Sequence, residues 1–232
     1  KSFDTAKQSI HVVVINFLTK ESEMKEANSK RHIYYIGDWV FHKGPLFTES
    51  PFHHEYKDCD LHFYGRRLAQ ALSCAAELTC QANWELYHLE PGKFEKILEK
   101  SDAIIISDVE SKCFHLYPKF FSREQDSSNV LAFPDRLVEL KKWITAGGGM
   151  MMLGGWLSFS GAKEEGGWRR SVLADVLPVQ CLIGEDLVES SAGFHAEVIK
   201  PDHPVASDLP WDSFPPIFGY NELIAKSDDD VI

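Results

Sequence analysis

The run Ala103–Ser107 (AIIIS) constrains this chain most. It is short, apolar at successive positions and rich in β-branched residues. A strand exposed on one face alternates apolar with polar residues, whereas a strand covered on both faces does not. The run therefore predicts a central parallel strand. Met150–Leu153 (MMML) has the same character and ends in Gly154-Gly155. His32–Ile36 (HIYYI), ended by Gly37-Asp38, predicts another strand, and Ile10–Phe17 (IHVVVINF) a further one at the start.

Between these runs the period changes. Leu68, Ala71, Leu72, Ala75 and Leu78 recur at helical spacing, which predicts an amphipathic helix over His62–Thr79. Pro134–Ala146 reads as a helix with Pro134 in its first turn, Leu137, Leu140, Lys141 and Ile144 along one face, and Gly147 as its stop. Phe94–Leu98 reads as a short helix and Trp168–Val176 as another. Asn83–Leu89 alternates and reads as a strand. Val188–Ser191, Phe194–Ile199 and Phe218–Ile224 read as shorter strands. Thr19–Arg31 reads as a loop or short exposed helix. Trp39–Lys57, broken by Gly44-Pro45 and Pro51, reads as a long irregular connection. The alternation predicts an α/β fold: a flavodoxin-like, doubly wound, mostly parallel sheet with helices on both faces. The 232 residues fit one domain, 1–232.

Composition narrows the function classes. The net charge of −11 gives the chain no general attraction for phosphate backbones or anionic lipid, so neither nucleic acid nor a membrane is an expected partner. No apolar run reaches the roughly 18 residues of a membrane span, and Lys1-Ser2-Phe3-Asp4 does not open a signal peptide. Five cysteines without CxxC spacing argue against a disulfide framework or a structural zinc site. A cytoplasmic chain with free thiols is the expectation, with no metal and no cofactor. A homo-oligomer is expected from base rates.

Gly147–Gly161 (GGGMMMLGGWLSFSG) resembles the helix–strand–elbow segment of a bacterial glutamine amidotransferase-like family, related to class I glutamine amidotransferases and to trehalose-utilisation-like folds. GDWVFHKG at Gly37–Gly44, ISD at Ile106–Asp108, VLADVLPV at Val172–Val179, PDHPV at Pro201–Val205 and FGYN at Phe218–Asn221 also match. The resemblance runs from about Arg31 to the end of the chain. It implies that the family continues past this chain's last residue, with a further strand pair and an Asp…Pro-His-Trp-like stretch. Glu110 and Lys112 stand where the family often carries Gly and Asn.

In class I amidotransferases a nucleophilic Cys sits on a strained strand-to-helix turn, and nearby backbone N–H groups aim at the developing oxyanion. Here Gly155 or Trp156 occupies that place, and neither is a nucleophile. Ser158 lies off the apex. It reads either as a stand-in nucleophile or as a helix-capping serine. The resemblance therefore implies the fold without glutaminase chemistry.

Ligands of doubly wound sheets sit beyond the strand C-termini where strand order reverses. If the strands at His32, Asn83, Ala103 and Met150 take the order 2-1-3-4, Asp38 and Asp108 end neighbouring strands. Gly154, Gly155 and Trp156 then reach the same rim. Two acids there can share a proton, hold a divalent ion or bind sugar hydroxyls. Their plainer reading is as caps of following helices. Trp39 and Trp156 can stack on a ring or simply pack, His42 is an acid–base candidate, and Asn221 is expected near the rim. His53-His54-Glu55 offers a loose metal motif, His203 a turn-fixing residue and Cys113 a candidate thiol. The leading expectation is an amidotransferase-like protein that binds a small polar metabolite or sugar at this cleft. The alternatives are a carboxylate/histidine or metal-assisted hydrolase using Asp38, His42 and Asp108, and a non-catalytic assembly module.

Overall fold

The computed structural model describes residues 13–15, 30–43, 46–50, 53–56, 59–121, 132–227 and 231–232. Its elements, in chain order, are β1 (Val13–Ile15), β2 (His32–Gly37), β3 (Trp39–Lys43), β4 (Leu46–Ser50), β5 (His53–Tyr56), β6 (Cys59–Phe63), α1 (Arg66–Ala75), β7 (Glu77–Gln81), α2 (Asn83–His88), α3 (Lys93–Lys100), β8 (Ala103–Ser107), α4 (Lys112–His115), α5 (Arg136–Thr145), β9 (Gly149–Leu153), β10 (Val179–Cys181), β11 (Leu187–Phe194), β12 (Ile217–Asn221) and β13 (Leu223–Ala225).

The central sheet has the order β1-β9-β8-β2-β7. β7, β2, β8 and β9 run parallel, and β1 adds antiparallel to β9. This is the expected 2-1-3-4 order, with one substitution. The second strand is Glu77–Gln81, not Asn83–Leu89. Asn83–His88 is helical: only Leu86 is buried there, and the Glu85 carboxylate reaches back to accept the Ala82 N–H at 3.1 Å. The helix expected over His62–Thr79 shrinks to Arg66–Ala75. Leu78 fell on the helical period by coincidence. The chain has already become extended at Ala76, and Leu78 pairs with Ile33.

Burial follows the continuous apolar runs. Tyr34, Ile36, Ile104, Ile106, Met150 and Met152 join Leu86, Phe94, Leu98, Leu137, Leu140 and Ile144 in one core. Tyr35 and Ile105 point to the opposite face, because neighbours along a strand alternate, and they too are buried. β2 and β8 are thus covered on both faces. Arg136, 1 % exposed, ties the helical layer together. Its guanidinium donates to the carbonyls of Cys113, Phe114 and Leu116 at the end of α4, and to Leu89 O at 2.6 Å after α2. These are carbonyls that a helix end leaves without partners.

Other boundaries also differ from the sequence reading. Trp39–Lys57 is not irregular where it is described: β3 pairs with β6 and β4 with β5, and Gly44, Pro45, Pro51 and Lys57 lie outside the described residues. Trp168–Val176 forms two single 3₁₀ turns, split where the Ser171 hydroxyl accepts the Leu173 N–H. Leu187–Phe194 is one strand, and Phe218–Ile224 spans two, β12 and β13. Of the strand expected over Ile10–Phe17, Val13–Ile15 is seen as strand, whereas 1–12 and 16–29 lie outside the described residues.

Candidate functional site at the strand ends

Gly37 pairs with Ser107 at the C-terminal ends of β2 and β8, and Asp38 and Asp108 follow directly. Neighbouring strands lie about 4.8 Å apart, so both acids leave the sheet at one rim. Both take left-handed backbone, φ 57° and 53°, which is uncommon for residues other than glycine. The approach of the two strand ends is close: a Cβ on Gly37 would lie 1.7 Å from Ser107 O.

Neither acid caps a helix. Asp38 leads into β3, and the N-terminus of α4 has no side-chain cap. The Asp38 carboxylate is held by its own sheet instead. Ser107 Oγ donates to its Oδ1 at 2.8 Å, and the Tyr35 hydroxyl donates to its Oδ2. Asp108 reaches toward the elbow after β9. Its Oδ1 accepts the Leu157 N–H at 2.7 Å, and the neighbouring Trp156 amide also favours its charged form. Burial raises the Asp108 pKa, these amides oppose the rise, and the charge of Asp38 adds to it. The two acids thus lie within electrostatic reach of one another.

The elbow is built on a second carboxylate. Asp186, buried, accepts the Ser160 and Gly161 N–H groups, each at 2.8 Å, and the Asn221 amide at 2.7 Å. Asn221 in turn accepts the Gly155 N–H at 2.8 Å. Gly155 has to lack a side chain, because its Cβ would stand 2.7 Å from Asp108 Oδ1. No α-helix follows the elbow; the next element is a single 3₁₀ turn, Ala162–Glu164. Ser158 is fully buried and its Oγ accepts the Asp108 N–H at 3.1 Å, so it is neither a surface nucleophile nor a helix cap.

Trp156 projects from this turn, 62 % exposed, with its indole N–H donated to Glu189 Oε1 at 3.1 Å. Trp39 is differently placed. It stacks on Phe63, centroids 4.7 Å apart, and meets Trp84 edge-on, which makes it a packing residue. Gly154 sits beside Asn221, where its Cβ would lie 2.8 Å from Oδ1. His42 pairs with Asp60 through β3, and His53, His54 and Glu55 lie in β5; the side chains of all four fall outside the described residues. Among the described residues no three His, Cys, Asp or Glu side chains converge as a metal set would. His203 fixes its turn, accepting the Val205 N–H on Nδ1 at 3.2 Å. Burial, helped by Glu110, pushes the Cys113 thiol up to about 11, which removes it as a ready nucleophile.

Four contributors escaped sequence reasoning: Tyr35, Ser107, Asp186 and Glu189. Ser107 stood inside the ISD motif. Tyr35 has a weaker signal, a second tyrosine in a strand that must turn one of the two hydroxyls toward the Asp38 side. Nothing local marks Asp186 or Glu189, whose partners lie 26 and 33 residues away.

A mostly parallel α/β sheet with a glycine elbow and two strand-end acids defines a protein of the class I amidotransferase type, here without a thiol at the turn. The chain belongs to the family described as "Putative glutamine amidotransferase", whose model matches residues 61–232. Among solved structures it is similar to the cytoplasmic protein STM3548 from Salmonella typhimurium, with 26 % identity, TM-score 0.73, and 84 % of this chain and 75 % of that chain covered. It is also similar to the cytoplasmic protein STM1381 from Salmonella typhimurium LT2, with 28 % identity, TM-score 0.69, and 84 % and 76 % covered. No curated protein matches the chain. Among the described residues no helix is long and apolar enough to cross a membrane.

Proposed function

We propose that this chain is a cytoplasmic amidotransferase-like protein without glutaminase activity, and that its strand-end rim binds a small polar molecule such as a sugar. One observation carries the reading: the Asp108 carboxylate occupies the Leu157 N–H at 2.7 Å. An oxyanion hole works by keeping elbow N–H groups free for the charge that develops in the transition state. Here a resident anion already takes that hydrogen bond, and the turn carries Gly155 and Trp156 in place of a thiol.

The features that oppose acyl transfer suit binding. Trp156 presents an exposed ring face whose edge is anchored by Glu189. The carboxylates of Asp108 and Glu189 beside it are acceptors for hydroxyl groups. An aromatic face flanked by fixed acceptors is a general way to hold a polyol: the ring covers the C–H face while the carboxylates take the O–H groups.

The test has two arms. Ammonia release from glutamine should not rise above that of heat-denatured protein; release that depends on the folded chain contradicts the first half of the reading. Ligand-observed NMR against a panel of neutral mono- and disaccharides should show saturation transfer with the native chain and none with Trp156→Ala. Equal transfer to both chains would place binding elsewhere.

A further inference from the structure

Two carboxylates of this chain bind backbone amides of the turn after β9, and they are held differently. Asp186 is 2 % exposed and takes three hydrogen bonds, from the Ser160 and Gly161 N–H groups and from the Asn221 amide. Its own carbonyl accepts the Glu222 N–H at 2.7 Å, so its backbone and side chain are both tied down. Asp108 is half-buried, and its Oδ1 takes the Leu157 N–H at 2.7 Å. Three features act against that arrangement. The Asp108 backbone is left-handed, φ 53°, a region that L side chains disfavour. Burial and the charge of Asp38 both oppose ionisation of the carboxyl. Among the described residues no lysine or arginine forms an ion pair with it.

We infer that the elbow is an anion site closed by the chain's own carboxylate: Asp108 takes the place of a ligand carboxylate and keeps anions out of the rim. The turn has the parts of such a site. Backbone N–H groups in a glycine-containing turn form a concavity that suits an anion. Leu157 supplies the N–H, and Gly155 supplies the space: a Cβ there would lie 2.7 Å from Asp108 Oδ1 and 3.0 Å from Asp108 Cβ. Gly154 and Trp156 are exposed, so the turn opens to solvent.

The turn and its occupant are anchored separately. Asn221 holds the Gly155 backbone, and Asp186 holds Ser160 and Gly161. The Asp108 backbone has its own anchor, the buried Ser158 hydroxyl, which accepts its N–H at 3.1 Å. The Asp108 side chain can therefore leave the Leu157 N–H while the strand end and the turn stay in place. With Asp108 present, a ligand carboxylate reaching the turn meets two like charges, Asp108 and Asp38, and finds the Leu157 N–H taken. The contact is autoinhibitory toward anions and restricts the rim to uncharged or positively charged ligands.

Sodium acetate is the probe. Asp108→Gly removes the occupant, and glycine suits the left-handed backbone at this position. Titration of the full chain carrying Asp108→Gly at about pH 7, where acetate is ionised, should move the Leu157 amide signal saturably in a ¹⁵N-correlated spectrum. In the native chain the same titration should leave that signal in place. Asp108→Ala carries the same test if the glycine variant does not fold. A Leu157 amide that acetate leaves unmoved in a folded Asp108 variant, or that moves equally in the native chain, would overturn the proposal. Neither result depends on a saccharide, so this inference and the sugar reading fail separately.

Discussion

Asn221 grips the backbone of Gly155 in both directions, accepting its N–H on Oδ1 at 2.8 Å and donating from Nδ2 to its carbonyl at 3.2 Å. The same Nδ2 donates to Asp186 Oδ1 at 2.7 Å. One buried amide thus couples the elbow to the carboxylate that braces its far end. Asn221→Ala leaves a backbone N–H and part of a buried carboxylate unsatisfied, and each such group costs about 1–3 kcal/mol. The expected loss is about 2–4 kcal/mol in denaturant unfolding. Asn221→Asp sets two carboxylates side by side and should be worse at neutral than at acid pH.

Gly155 tests the other side of the elbow. Alanine there drives a Cβ to within 2.7 Å of Asp108 Oδ1. The carboxylate must move and the Leu157 hydrogen bond must lengthen. Gly155→Ala is expected to cost about 1–3 kcal/mol, and Asp108→Asn should not rescue it, because Asn carries an oxygen or nitrogen in the same place. Recovery in the double variant would mean that charge, not space, governs this contact.

The pKa of Asp108 gives a pH signature. Burial raises it in the folded chain, with Asp38 adding to the rise. Between the ordinary carboxyl value and the raised one, the folded state holds more protons than the unfolded state. The Asp108 contribution to stability is therefore greatest at low pH and is lost as pH rises through the folded value. Asp108→Asn should be relatively more stable than the native chain at about pH 7 than at about pH 4. A difference in Tm between the two chains that does not change with pH contradicts this.

Arg136 should be the most sensitive charged residue outside the rim. Its guanidinium serves four carbonyls while the ring of Tyr117 lies 3.8 Å away. A lysine cannot span these acceptors. Arg136→Lys is expected to lower stability by about 2–4 kcal/mol, close to the cost of Arg136→Met, since both abandon the ends of α2 and α4. A neutral Arg136→Lys would show that water replaces the lost donors.

The thiols should separate by burial. Cys113 and Cys181 are each pushed up to about 11, chiefly by burial, and Cys74 is exposed. Iodoacetamide at mildly alkaline pH should label Cys74 well before either of them, as read by peptide mass spectrometry. Early labelling of Cys113 would restore it as a candidate nucleophile.

The parts of the fold that depend on local pattern were legible in the sequence. Ala103–Ser107 and Met150–Leu153 needed burial on both faces, and that requirement located two parallel strands. Asp38 and Asp108 could be placed at neighbouring strand ends once an order was assumed. The misreadings share a physical origin. Leu78 lies at a spacing that suits helix and strand alike, so α1 and β7 merged and the next segment took the strand's place. The elbow's bracing was invisible because Asp186 and Asn221 act on residues 26 and 66 positions away. Sequence alone leaves Asp38 and Asp108 open between capping a helix and facing the rim, because the amide that Asp108 binds belongs to the elbow, 49 residues away.

The most direct measurement follows the indole N–H signal of Trp156 in a ¹⁵N-correlated spectrum, assigned by its disappearance in Trp156→Phe. On titration with the saccharide panel, that signal should shift saturably, and the buried indole of Trp168, donated to Val109 O at 2.8 Å, should stay in place. Saturable shifts confined to other indoles, or a Trp156 signal unmoved by a sugar that demonstrably binds, would contradict a polar-ligand site at this rim.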